Sequence, residues 1–252
     1  MLKRKFLLLL LCPVFLFPTT ARADGGYIIG HRGSPERAPE NTLSSFAAAC
    51  EQGADAVECD VRMTSDGRLV PMHDESTGRV WSEDISVEGS SYEALSKLVP
   101  GHGFRAAFPH AVGEHIPTFE EFDGVISPDT GIFAELKTDT PEACDALLDE
   151  INRLGVSERT TFISFSRSRV EQAHARGIKC ALLYSPESKK DLESIRLSPG
   201  IALDLPLSAI DANTVADLHG RGYKVYVWQV QTEEQRERAL RIGADGITTD
   251  II

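Results

Sequence analysis

The sequence predicts an α/β fold, a (β/α)8 TIM-type barrel, and three observations predict it. Short β-rich segments alternate with helical ones along almost the whole chain, the pattern of parallel strands joined by crossover helices. The length of 252 residues suits one domain of barrel size, and 42% apolar residues supply its core. No G-x-G-x-x-G follows the first strand candidate, which disfavours a doubly wound open sheet.

Residues 1–23 stand apart from this pattern. Lys3, Arg4 and Lys5 make a basic start, Phe6 to Phe17 is mostly apolar, and Ala21-Arg22-Ala23 has the small-x-small form of a cleavage site. They are predicted to be a secretory signal peptide, so that residues 24–252 form the barrel domain and the protein is exported, periplasmic or extracellular. The apolar run is shorter than the roughly 20 residues of a span and contains Pro13, so no stable membrane insertion is expected after cleavage. Leu10 and Leu11 before Cys12 do not make a lipid-attachment site. Cleavage removes four basic residues and no acidic ones, taking the net charge from -12 to -16. So acidic a chain excludes nucleic acid as a partner and disfavours charge-driven docking on anionic lipid.

The barrel opens with the strand candidate Tyr27–Gly30, followed by the side-by-side pair His31-Arg32. Pro39 cannot continue a strand, and Asn41 is expected to cap a helix over Leu43–Gln52, whose Leu43, Phe46, Ala47 and Cys50 recur on one face. In the next strand, Ala56–Val61, Glu58 and Asp60 point one way and Cys59 the other, toward the helical layer, where it could approach Cys50. Leu69–His73 is one strand too many for the barrel. It is expected to fold back on Ala56–Val61 through a two-residue Asp66-Gly67 turn, with Arg62 opposite Pro71 and Asp60 opposite His73.

Residues 78–117 break the alternation and form a small insertion, expected as a lid or substrate wall. Beyond it come strand candidates Ile132–Lys137, Thr160–Phe165, Lys179–Leu183, Ile201–Leu205, Lys224–Val230 and Gly246–Thr249. Helix candidates lie near Thr118–Val125, Pro141–Leu154, Ser168–Arg176, Ser188–Ile195, Asp211–Arg221 and Glu233–Ile242. The sequence reaches Ile252 just past the last strand without a closing helix, and an exposed seam there is expected to favour a partner, a homodimer or lower stability. Cys50, Cys59, Cys144 and Cys180 show no CxxC or Cys/His spacing for zinc.

Inward-facing acids near strand ends are costly unless they hold a metal or are hydrogen-bonded. Glu58, Asp60 and Glu135 together would make a hard, oxygen-rich metal site suited to Mg²⁺ or Ca²⁺. Arg32 and Lys137 supply positive charge for a phosphoryl group, and His31 and His73 supply two proton-transfer groups that work near neutral pH. Trp228, on a strand, is a candidate wall of the site. Of the other histidines, His110, His174 and His219 are structural or surface residues, and only His102 and His115, in the insertion, have a chance of lining the cleft.

These residues resemble a known family. His31-Arg32-Gly33, Pro39-Glu40-Asn41-Thr42, Gly53-Ala54-Asp55, Glu58-x-Asp60-Val61, Thr64-x-Asp66-Gly67 and His73-Asp74 look like the signature run of the glycerophosphodiester phosphodiesterases. The likeness continues through Ile116-Pro117-Thr118, Glu135-Leu136-Lys137, Ser164-Phe165, Trp228 and Gly243-Ala244-Asp245-Gly246-Ile247. It implies a barrel with a divalent metal that cleaves glycerophosphodiesters to glycerol 3-phosphate and an alcohol. It further implies His31 and His73 as the acid/base pair, Glu58, Asp60 and Glu135 as metal ligands, and Arg32 and Lys137 as phosphate holders. The chain departs from the family after His73-Asp74, where Glu75-Ser76-Thr77-Gly78-Arg79 stands, and around Trp228-Gln229-Val230-Gln231, so a different headgroup preference is expected. The rival expectations are a barrel phospholipase acting on lysolipids and an exported protein that binds glycerophosphodiesters without cleaving them.

Overall fold

The computed structural model describes residues 26–111 and 113–252; the expected signal peptide lies outside them. Strands β1 (Tyr27–Gly30), β2 (Ala56–Met63), β3 (Leu69–Pro71), β4 (Gly131–Leu136), β5 (Thr160–Ser164), β6 (Lys179–Leu183), β7 (Ala202–Pro206), β8 (Val225–Val230) and β9 (Gly246–Thr249) form one sheet. All neighbours pair in parallel except β2 and β3. The sheet closes where β1 pairs with β2 through Ile29–Ala56 and Gly30–Val57, leaving β3 as an antiparallel extension on the far half of β2. This is the (β/α)8 barrel, with the surplus strand where the sequence places it.

Helices α1 (Leu43–Glu51), α4 (Phe119–Val125), α5 (Pro141–Leu154), α6 (Arg167–Ala175), α7 (Lys189–Ser194), α8 (Ala212–Gly220) and α9 (Glu233–Arg241) follow in the crossovers, and α2 (Tyr92–Leu95) and α3 (His102–Ala107) lie in the insertion. Strand alternation divides the apolar residues between two cores. Outward residues such as Val57, Cys59, Ala134 and Phe162 pack on helix residues such as Phe46, Phe122 and Leu147. Inward residues Ile29, Ala56, Phe133, Ile163, Ala181, Leu183 and Ala202 fill the barrel, with Tyr226 and Trp228 against them. The apolar layer forms a floor, and the next inward residues, Glu58, Asp60, Glu135 and Asp204, are polar. Val80, Trp81, Val87, Leu95, Leu98 and Ile116 of the insertion pack with Val70 and Met72 of the β3 arm in a separate core, and the insertion lines none of the cavity described below.

Two local expectations are corrected. The hairpin register is shifted by one: Val61 pairs with Pro71 and Arg62 with Val70, and Met72 N–H donates to the Asp60 carbonyl. Gly67 sits at φ +79°, the left-handed residue of a three-residue loop, where a two-residue Asp-Gly turn would require both central residues left-handed. Thr42, not Asn41, caps α1, its side chain accepting from Ser45 N–H. Asn41 is itself left-handed at φ 56°, which frees its amide for another task. Cys50, Cys59, Cys144 and Cys180 are free thiols, and Cys59 faces the helical layer as its alternation requires.

Candidate active site

At the C-terminal end of the barrel strands lies a cavity of about 170 Å³. Its lining includes His31, Arg32, Glu58, His73, Glu135, Lys137 and Trp228, all expected from the sequence, together with Ile163, Phe165, Leu183, Asp204, Gln229 and Thr248. Asp60 lies just behind, bonded to several of them. Neither His102 nor His115 lines it: His102 borders a separate groove in the insertion, and His115 is bonded to Glu121.

Burial is most costly for the acids. Glu58, Asp60 and Glu135 each offer an oxygen within 4.8 Å of the others, and all three are buried. Burial, then the charges of Asp60 and Glu135, push the Glu58 carboxyl well above its ordinary range. Burial and then Asp60 raise Glu135. Asp60 is also opposed by burial, but Lys137 and Arg32 outweigh it and hold its carboxyl low. Lys137 Nζ lies 3.2 Å from Asp60 and 2.7 Å from Glu135, and Arg32 Nε lies 3.3 Å from Asp60. Asn41 Nδ2 donates to Asp60 Oδ2 at 2.8 Å, and Asp60 N–H donates back to Asn41 Oδ1 at 3.3 Å. Glu58 Oε2 accepts from Arg32 N–H at 2.8 Å, while the buried Oε1 has no partner among the described residues. Three converging carboxylates, two of them pushed toward protonation and one with an unused buried oxygen, fit a hard divalent cation.

Each histidine is backed by a carboxylate. His31 Nδ1–H donates to Asp250 Oδ1 at 2.7 Å, and Asp250 Oδ2 accepts from the side-chain amides of Gln229 and Gln231 at 2.7 and 2.9 Å. His73 Nδ1–H donates to Asp74 Oδ1 at 2.6 Å, and Asp74 Oδ2 accepts from Arg79 Nε at 2.6 Å. With Nδ1 engaged in both rings, Nε2 is the free nitrogen of each. Burial lowers the His73 pKa. Asp74 is opposed by burial, but its bonds to Arg79 and His73 bring it down to about 2.

Arg79 also links the two halves of the site. Its Nη1 and Nη2 bind Glu40 at 2.6 and 2.8 Å, and Glu40 in turn accepts from Arg32 Nη1 at 2.7 Å. An unbroken chain therefore runs Arg32–Glu40–Arg79–Asp74–His73. Arg32 itself is held at φ 54°, and Gly33 next to it at φ +90°, where a Cβ would lie 2.5 Å from the Ser45 backbone. That tight crossing on α1 turns Arg32 back over Asp60.

Trp228 forms one wall. Its indole N–H donates to the Asp204 carbonyl at 3.2 Å, and its ring meets Phe165 edge-on with centroids 6.0 Å apart. Phe165 is 55% exposed, so the pair stands at the cavity mouth. Asp204 is buried, has no side-chain partner among the described residues, and is pushed up to about 8 by burial and then by Glu135.

Sequence reasoning alone did not find Glu40, Asn41, Asp74, Arg79, Asp204, Gln229 or Asp250 as site residues. Signals existed for some. Asp204 alternates inward with Ala202, and Asp250 follows β9 at the height where His31 follows β1.

Residues 31–252 match the Glycerophosphoryl diester phosphodiesterase family. A glycerophosphodiester phosphodiesterase of Caldanaerobacter subterraneus subsp. tengcongensis is 31% identical over 229 residues, covering 88% of this chain and 93% of that relative. Among solved structures, an Oleispira antarctica phosphodiesterase in complex with the product sn-glycerol-3-phosphate superposes with a TM-score of 0.79 at 28% identity, covering 90% of this chain and 93% of the other. A Thermotoga maritima glycerophosphodiester phosphodiesterase gives 0.71 at 26% identity, covering 89% and 94%. The barrel agrees with these likenesses: the chain belongs to the glycerophosphoryl diester phosphodiesterase family.

Proposed function

We propose that this protein hydrolyses glycerophosphodiesters to sn-glycerol 3-phosphate and an alcohol, with His31 and His73 as its proton-transfer pair. The observation that carries this reading is the pairing itself. Two carboxylate-backed imidazoles line a single cavity that also holds Arg32, Lys137 and the acid trio. Glu58, Asp60 and Glu135 would hold a hard divalent cation, Ca²⁺ or Mg²⁺, which would supply charge neutralisation at the phosphoryl group.

Arg32 and Lys137 attract the diester. Lys137 stays cationic because Asp60 and Glu135 outweigh the burial that disfavours its charge. One histidine Nε2 takes the proton of the attacking oxygen, that of water or of the neighbouring glycerol hydroxyl, as it bonds to phosphorus; where the glycerol hydroxyl attacks, water then opens the cyclic phosphate. The other gives a proton to the oxygen of the departing alcohol as the P–O bond breaks. Asp250 and Asp74 orient the two rings so that each Nε2 faces the reaction. Trp228 and Phe165 wall the mouth through which the diester enters.

The lysolipid alternative requires an apolar rim. Among the described residues the exposed large apolar side chains are Tyr27, Val99, Val125 and Phe165, which are scattered along the chain, and no helix is long and apolar enough to cross a membrane. We also propose export, on the basic–apolar–small order of residues 1–23; sequencing the N-terminus of protein from the native host tests it by finding, or not finding, a start near residue 24. For the activity, diesters with choline, ethanolamine, glycerol and inositol headgroups are incubated with the protein, with and without chelator, and products quantified. Metal-dependent release of sn-glycerol 3-phosphate is expected; capture of the diesters without release would overturn the proposal.

A further inference from the structure

Asp204 is a charged-type residue that the acid/base pair and the acid trio leave unused. It sits near the end of β7, opposite Leu183 of β6 and Tyr226 of β8, and is 1% exposed. Its backbone carbonyl accepts from Tyr184 N–H at 3.0 Å and from the Trp228 indole, so the residue is fixed in place. Its carboxyl has no hydrogen bond or ion pair among the described residues, and Oδ1 is wholly buried without a partner. Yet the residue lines the cavity. A buried carboxyl without a partner is costly, and folds retain such groups where a ligand completes them.

The ligand's chemistry follows from what surrounds the group. Asp204 is not among the acids whose oxygens lie within 4.8 Å of one another, so the cation site does not explain it. The phosphate charge is drawn to Arg32 and Lys137, just past the ends of β1 and β4, each three strands away from β7 in the barrel. No cation pairs with Asp204, so a second anion has no reason to settle there. A neutral group that both donates and accepts hydrogen bonds meets the requirement, and an alcohol hydroxyl is that group.

We propose that Asp204 hydrogen-bonds a glycerol hydroxyl of the substrate and thereby selects diesters that carry one. The proposal rests on the functional reading above. A site built around a hydroxyl discriminates strongly against analogues lacking it, because the buried partner is then left unpaired. Asp204 acts here as a specificity residue, and the acid/base chemistry stays with the histidines.

The test compares kcat/KM for sn-glycero-3-phosphocholine with that for bis(4-nitrophenyl) phosphate, which has no hydroxyl, in the metal-loaded wild type, Asp204→Leu and Asp204→Asn. Asp204→Leu is expected to lower the ratio of the two by about 10²-fold, chiefly through KM for the glycerol diester. Asp204→Asn, which keeps a donor and an acceptor, is expected to recover most of that ratio. A ratio equal to the wild type's in Asp204→Leu overturns the proposal, whether both activities fall together or neither falls. If Asp204→Leu does not fold, Asp204→Asn and Asp204→Ser decide by the same ratio, with the unaltered ratio again overturning it. A wild type that cleaves bis(4-nitrophenyl) phosphate but not the glycerol diester overturns the functional reading itself, and the Asp204 assignment with it.

Discussion

Asn41→Ala is the substitution whose cost is best read from the structure. Asn41 is buried, left-handed at φ 56°, and donates to Asp60 Oδ2 at 2.8 Å. Loss of a hydrogen bond to a buried ionised carboxylate costs about 1.5–3 kcal/mol. Placing alanine in the left-handed region adds about 1–2 kcal/mol. The expected destabilisation is therefore about 2.5–5 kcal/mol, measured by urea unfolding of the chelated protein. Asn41→Gly loses the same bond but meets no left-handed penalty, so it should be the milder of the two, a reversal of the usual order within regular structure. Since Asp60 would lose the amide that orients it, divalent-ion affinity by calorimetry should also fall about 10- to 100-fold in both variants. A stability of Asn41→Ala within about 0.5 kcal/mol of the wild type would refute the claim that the Asn41–Asp60 pair supports the acid trio.

Two further outcomes are expected. Arg79→Gln cuts the chain between Glu40 and Asp74, so kcat/KM on a glycerophosphodiester should fall about 10- to 100-fold. Unfolding free energy should shift by less than about 1 kcal/mol because Arg79 is partly exposed; unchanged kinetics would contradict the link. Asp204, raised to about 8, binds a proton in the folded state that the unfolded chain releases near pH 4. Its proton-linked stabilisation is complete below about pH 4 and is lost as pH rises toward about 8, by up to about 5 kcal/mol. In chelated protein, Asp204→Asn should therefore gain stability relative to the wild type between pH 5 and pH 8, and parallel pH curves for the two would contradict the assignment.

The barrel was legible because its signal is local. Strand alternation sets which residues face in, so Glu58-x-Asp60 and Glu135-x-Lys137 disclosed their shared faces directly. What the sequence hid depends on backbone twist or on distance. The hairpin slipped by one residue because Gly67 alone turns left-handed, and Asn41 turned from cap to carboxylate holder for the same kind of reason. Asp250 meets His31 across 219 residues, and Arg79 meets Glu40 across 39, which no local pattern announces. Asp204 was visible as an inward position, but its lack of any partner is a property of the folded cavity.

The most direct test of the account is the metal-loaded turnover of a glycerophosphodiester by the wild type, His31→Ala and His73→Ala, with both products quantified. Equimolar sn-glycerol 3-phosphate and alcohol from the wild type, and a rate lower by about 10² to 10⁴ in each variant, are predicted. Near-full turnover by either histidine variant would contradict it.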